Sequence, residues 1–134
     1  ALRRLVAALS ESDRPAGIVV DGPLGPPGVP KPGVLFCARE TGRPIVPLGV
    51  AARGKIEFRA SWSRIYLPLP GARIVIACGE TVAVSSDETR GGMDRLGAEL
   101  EARLASARVV AEGNSRASRA GKGALRTRAR ERRA

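Results

Sequence analysis

A carboxylate and an ammonium bracket a loop made almost wholly of glycine and proline. Asp21 follows the apolar run Gly17-Ile18-Val19-Val20, and Lys31 precedes Pro32-Gly33 and a helix-like segment at residues 34–41. Between them lies Gly22-Pro23-Leu24-Gly25-Pro26-Pro27-Gly28-Val29-Pro30. An ammonium just ahead of a helix start stands beside free backbone N–H groups and the positive end of the helix dipole, which favour an anion. A carboxylate repels phosphate, so Asp21 is suited to orienting a hydroxyl or pairing with Lys31. Together they suit an anionic ligand such as a phosphate. Two plainer readings stand beside this one. Asp21 can close an Asx-type turn on its own loop, and repeated proline can make a merely rigid connector by fixing φ. The triplets starting at Gly22, Gly25 and Gly28 have collagen spacing, but the period fails at Lys31, and a triple helix requires glycine at every third position.

The elements around the loop decide where these groups lie. Residues 18–20 read as a buried strand, 34–41 as a helix and 44–52 as a second strand, with Pro47 marking an edge or a bulge. This is a βαβ unit, and it puts Asp21 at the carboxyl end of a strand, where open α/β sheets bind ligands. Pro32 suits the first turn of the helix and Gly42 its C′ position. Ahead of the unit, Leu2, Leu5, Val6 and Leu9 recur at helical spacing, and that helix should end near Ser12. Beyond it, residues 55–58 read as a short strand or turn, 61–70 as irregular and apolar, 73–78 as a buried strand closed by Gly79, and 81–84 as a short extension. Ser85 and Glu88 have capping-box spacing. Met93, Leu96, Leu100 and Leu104 then form one stripe of a helix running to about Val110.

The predicted fold class is therefore α/β, a mostly parallel open sheet flanked by helices. Residues 1–112 form the folded part, and 113–134 form a basic tail. The net charge is +10 over 134 residues. Arg116, Arg119, Lys122, Arg126, Arg128, Arg130, Arg132 and Arg133 against Glu131 give the tail +7, leaving +3 for the rest. Such a segment buries too little apolar surface to offset the entropy of ordering and is expected to be disordered when free. It can adhere to polyanions, whether a membrane surface, RNA or DNA.

The chain contains no histidine. That excludes His-based acid–base catalysis and His-containing metal sites within it. Cys37 and Cys78 are far apart, with no CxxC pair, and read as two buried free thiols in a cytoplasmic setting. No metal site is expected. No apolar run approaches the roughly 20 residues of a membrane span, and no signal-peptide pattern is present. The first residue is Ala1, as in a processed chain or a piece of a longer one. Aromatics are only 3% of the residues, so the core must be built from Val, Ile, Leu and Ala.

The order of several blocks resembles a known family. Val20-Asp21-Gly22-Pro23-Leu24-Gly25-Pro26 is similar to a Pro-Asp-Gly-Pro-Arg-Gly-Pro motif. Lys31-Pro32-Gly33-Val34-Leu35 and Ala38-Arg39 continue the likeness, as does Thr41-Gly42-Arg43-Pro44-Ile45-Val46-Pro47-Leu48-Gly49-Val50. Ser61-Trp62 with Arg64, Leu67-Pro68-Leu69-Pro70 and Gly79-Glu80 complete it. Residues 1 to 107 resemble the C-terminal half of the lysophospholipid acyltransferase superfamily, in a bacterial membrane-associated branch. The resemblance implies an α/β sheet whose first strands and helix precede Ala1. It implies acyl transfer from a thioester, acyl-CoA or acyl-carrier protein, to a lipid hydroxyl, with no bound cofactor. It also implies a cytoplasmic protein, peripheral at the inner membrane.

On this resemblance Asp21, Gly22, Pro23, Gly25 and Lys31 are the expected substrate-binding residues. The family's catalytic His-(four residues)-Asp motif lies upstream of its Gly-Pro block, so this chain supplies no catalytic residue and should be inactive alone. The family's proline before the acid is Val20 here, and the arginine associated with the acceptor's phosphate is Leu24. Lys31 replaces that bidentate partner only in part. Trp62, Arg64 and Tyr66 are the expected membrane-interface residues, since Trp and Tyr favour the headgroup level and Arg attracts anionic lipid; packing against the domain's own sheet is the alternative. Arg43 reads as a helix-end residue. An exposed sheet edge makes self-association an expected property. The competing function is nucleic-acid binding through the tail, and a third reading is a folded remnant without chemistry.

Overall fold

A computed structural model describes the backbone of residues 2–21, 26–58 and 65–131, and the side chains of these residues as far as Ala117. In chain order the elements are α1 (Leu2–Glu11), α2 (Pro32–Thr41), β1 (Leu48–Glu57), β2 (Tyr66–Cys78) and α3 (Arg90–Glu131). It is a mixed fold of helices and one sheet.

Both ends of α2 follow from local chemistry. Pro32 lies in its first turn, where a missing N–H costs nothing. Gly42 ends it in the left-handed region at φ 65°, a conformation that a Cβ disfavours. The helix buries Val34, Leu35, Cys37 and Ala38. Its partner is the stripe expected on α3: Leu100 is fully buried, and Met93, Leu96 and Leu104 pack around the same cluster with Val82 and Val84. Val82 is held there by a two-bond bridge to Ile45, with both N–H···O=C distances 2.8 Å.

The sheet departs from the expectation of a mostly parallel open one. Among the described residues it has two strands, β1 and β2, paired antiparallel from Leu48↔Cys78 to Glu57↔Tyr66. The reason is the length of the connection. A parallel neighbour needs a crossover of a dozen or more residues, and only residues 58–65 join these strands. Pro47 delays the start of the expected 44–52 strand to Leu48, and the strand then continues through Lys55 to Glu57. Residues 66–70, expected to be irregular, belong to β2; those at 59–64 lie outside the described residues. The ladder shifts register between Arg53 and Lys55, where Gly54 and Gly71 take φ of 77° and 79°.

Residues 18–20 form no strand, although a buried one was expected. Val19 is 85% exposed, and no described strand lies beside it to complete a ladder. Residues 81–84 contribute only the Val82 bridge. The capping box at Ser85 is also not formed. Ser85 Oγ instead donates to Asp87 Oδ1 at 2.6 Å, which holds the Asp87 carboxyl below its ordinary range. The cap of α3 is Thr89, whose Oγ1 accepts the Gly92 N–H at 3.2 Å.

The inner face of the hairpin meets α3 through small residues. Ala51, Ala77 and Ala111 form a second cluster with Val75 against it. Ala107, Ala111 and Ser115, spaced four apart on α3, are all buried. Past Ser115 the backbone stays helical to Glu131, through the segment expected to be disordered. The alanines and arginines there are strong helix formers.

Candidate functional site

The loop from 21 to 31 is closed at two levels. At its neck the Lys31 N–H donates to the Val20 carbonyl at 2.8 Å. Inside, Asp21 Oδ2 accepts the Gly28 N–H at 3.0 Å. The far side is a turn. Val29 N–H reaches the Pro26 carbonyl at 3.4 Å, with Pro27 and Gly28 at the corner and Gly28 at φ 83°. Proline then glycine at positive φ is the type II arrangement. Asp21 therefore braces its own loop, but across seven residues and not by the local Asx-type turn expected, and it stays half-buried at the neck.

Lys31 ends the loop. Its backbone is extended, at φ −80° and ψ 148°, and it stands as N-cap of α2 without a side-chain capping bond. Asp21 and Lys31 are thus brought together by the neck. Gly22, Pro23 and Gly25 lie outside the described residues. The first turn of α2 is partly covered by α1: a Cβ at Gly33 would sit 3.5 Å from a methyl of Leu2.

Arg43 is a structural tie. Its guanidinium donates to the Arg14 carbonyl at 2.9 Å and to the Ser12 carbonyl, with Asp13 Oδ1 3.9 Å away. It holds the end of α1 against the end of α2. Cys37 is buried in α2, and burial pushes its thiol up, which leaves it a poor nucleophile. Cys78 is exposed.

Of the expected membrane-interface residues, only Tyr66 lies among the described ones; Trp62 and Arg64 lie outside them. Tyr66 turns back onto the hairpin. The Lys55 ammonium lies 4.4 Å from its ring centroid, and its hydroxyl donates to the Val50 carbonyl at 3.3 Å. The apolar surface is carried by aliphatic neighbours instead. Leu48, Val50, Ile74 and Ile76 line the outer face of the hairpin, and Ile56, Phe58, Ile65 and Leu67 are exposed toward its tip.

The sequence reading missed Arg53 and Arg116, which the fold brings to one groove although they are far apart in the chain. The signal for Arg116 was its place on one helix face with Glu112, four residues before it, and Arg108, eight before it. No signal marked Arg53. Among the described residues no cluster of His, Cys, Asp and Glu could hold a metal ion, and no helix is long and apolar enough to cross a membrane. No family model matches the chain, and no curated protein or solved structure matches it.

Proposed function

We propose that the chain is the acceptor-side, C-terminal portion of a membrane-associated acyltransferase. The complete protein would move an acyl group from a thioester to the hydroxyl of a lysophospholipid-like lipid. The observation that carries this reading is the tied loop. The Lys31-to-Val20 bond and the Gly28-to-Asp21 bond tie together residues on either side of the segment that most resembles the family's acceptor motif. Flanks held before binding lower the ordering entropy spent when the acceptor arrives.

In this reading residues 18–20 are a strand of the larger parallel sheet of the complete protein, which lines up Asp21 with the catalytic centre. A general base outside this chain takes the proton of the acceptor hydroxyl. The oxygen attacks the thioester carbonyl, a C–O bond forms, the C–S bond breaks and the thiolate leaves. The residues of this chain do not move that proton. Lys31 and the start of α2 hold the acceptor's phosphate, and Asp21 keeps the loop in shape.

The test is the reading frame upstream of Ala1. A His-(four residues)-Asp motif there, with thioester-dependent acylation of a lysophospholipid that Asp21→Ala lowers at least tenfold, supports the assignment. A complete protein with neither motif nor transfer overturns it. The same chain without its upstream part should give no turnover.

A further inference from the structure

The outer arm of the hairpin and the middle of α3 enclose a groove of about 690 Å³. Its charged lining is Arg53, Lys55 and Glu57 from β1 and Arg108, Glu112 and Arg116 from α3. Both carboxylates have cationic partners. Glu57 pairs with Lys55 at 2.7 Å, and Glu112 pairs with Arg108 at 3.2 Å. Arg53 and Arg116 have no ion pair among the described residues, so the groove carries two uncompensated guanidinium groups. Its floor is firm. Ala111 is fully buried beneath it, and Ser115 is buried with its hydroxyl donating to the Glu112 carbonyl at 2.8 Å.

Like charges lining a concave wall add their potentials and attract an anion. Guanidinium groups match phosphate oxygens two at a time. The volume exceeds what a single small ion fills and lies in the range of small-molecule sites. The surroundings narrow the choice. On the same arm Ile56 and Leu67 stand directly opposite each other in the ladder, and both are exposed. Phe58 and Ile65 follow, joined by a 2.9 Å backbone bond and also exposed. Cations beside an aliphatic tip match a lipid–water boundary, where apolar side chains enter the acyl region and arginines meet headgroups. Single-stranded nucleic acid instead calls for free aromatic platforms; among the described residues of this tip the Tyr66 ring is already met by the Lys55 ammonium, and Phe58 stands among the exposed aliphatics Ile56, Ile65 and Leu67.

We propose that this groove binds the phosphate of an anionic phospholipid headgroup, with Arg53 and Arg116 as its ligands and the side chains of Ile56 and Leu67 entering the bilayer. The site stands apart from the loop at 21–31 and needs no acyl-transfer chemistry. Its failure would therefore leave the proposed function untouched, and the reverse holds too.

The experiment is co-sedimentation of the full chain with vesicles of phosphatidylcholine alone and of phosphatidylcholine with phosphatidylglycerol, over a salt series. The chain should prefer the anionic vesicles. Arg53→Gln with Arg116→Gln should weaken that binding tenfold or more. Arg90→Gln with Arg95→Gln, which removes the same charge elsewhere on α3, should change it less than twofold. Arg53→Lys with Arg116→Lys keeps the charge but loses the fork and should recover only part of the affinity lost in the glutamine variant, a check that does not depend on the glutamine variant folding. Ile56→Ser with Leu67→Ser should lower vesicle binding at high salt. Equal losses in the two glutamine variants would reduce the effect to net charge and overturn the site. Displacement by millimolar inorganic phosphate would reassign it to a soluble phosphate ester. A loss of RNA binding with vesicle binding unchanged would reassign it to nucleic acid.

Discussion

Gly49 lies directly against the backbone of Ala107: a methyl group at Gly49 would overlap the Ala107 carbonyl. The obstacle is main chain on both sides, so no side chain can swing away. Gly49→Val is expected to destabilise the chain by about 2–3 kcal/mol, the upper part of the usual cost of overpacking. Gly17→Ala, at a site with nothing within 4 Å, should change stability by less than about 0.5 kcal/mol. Urea titrations of the two variants check the contrast.

Leu100 joins the apolar stripe of α3 to α2. It is fully buried among Val34, Leu35, Ala38, Val82 and Val84. Leu100→Ala should cost about 2–5 kcal/mol, the range for a leucine removed from a packed core. Leu100→Met should cost under about 1.5 kcal/mol, because the volume is kept. Thermal melts followed by far-UV circular dichroism distinguish them.

Arg43 ties the end of α1 to the end of α2 through two main-chain carbonyls. Arg43→Lys cannot reproduce the fork and should loosen α1 by about 1 kcal/mol, less than a buried charged bond is worth, because the group is partly exposed. Hydrogen exchange should speed up across residues 2–11, with α3 amides unchanged. Equal acceleration in both helices would mean that the tie is not local.

The two thiols should part in their reactivity. At pH 8 iodoacetamide should label Cys78 on the folded chain and leave Cys37 protected until urea unfolds it. Burial favours the neutral Cys37 thiol and raises it above 9.0, so the folded chain keeps a proton that the unfolded chain has begun to release. That contribution is present in full below pH 9.0 and is lost as the pH rises from there through the folded-state value. The stability difference between the native chain and Cys37→Ala should therefore shrink above pH 9. A constant gap from pH 7 to 10.5 would exclude the effect.

The outer face of the hairpin pairs Val50 with Ile76 and Leu48 with Cys78, all exposed. Free aliphatic surface of this kind drives association. The chain should self-associate with rising concentration, and Ile76→Lys should shift it toward monomer in sedimentation velocity.

Helices were more legible in the sequence than strands, for a physical reason. The stripe of Met93, Leu96, Leu100 and Leu104 and the Pro32–Gly42 punctuation are local signals, and each was formed as read. Strand pairing is not local. The partner of residues 18–20 had to be supposed from a βαβ pattern, whereas Pro68 and Pro70, which look like breakers, sit inside β2. Proline is tolerated in a strand whose N–H faces no neighbour. The start of α3 was misplaced because Ser85 and Thr89 both precede acceptable first turns, and only Thr89 finds an N–H to accept. At the loop, the residues suggested a local Asx turn at Asp21, whereas its carboxylate reaches Gly28 seven residues on, a contact set by the turn at Pro27 and Gly28 and not by neighbouring sequence. The Arg53–Arg116 groove was invisible because its two walls are brought together only by packing Ala51 on Ala111.

The wetness of the hairpin's outer face has a calorimetric consequence. Leu48, Val50, Ile74 and Ile76 already present 45% to 62% of their surface to water in the folded chain. Unfolding can therefore newly expose only about half of their surface. The heat-capacity increment, set mainly by newly hydrated apolar area, should fall below the usual value of about 12–15 cal/mol/K per residue. The curve of stability against temperature is then shallow, with a broad melt and little tendency to cold denaturation. Anything that covers the face must release that water, and its binding would show a negative heat-capacity change absent from the chain's own folding.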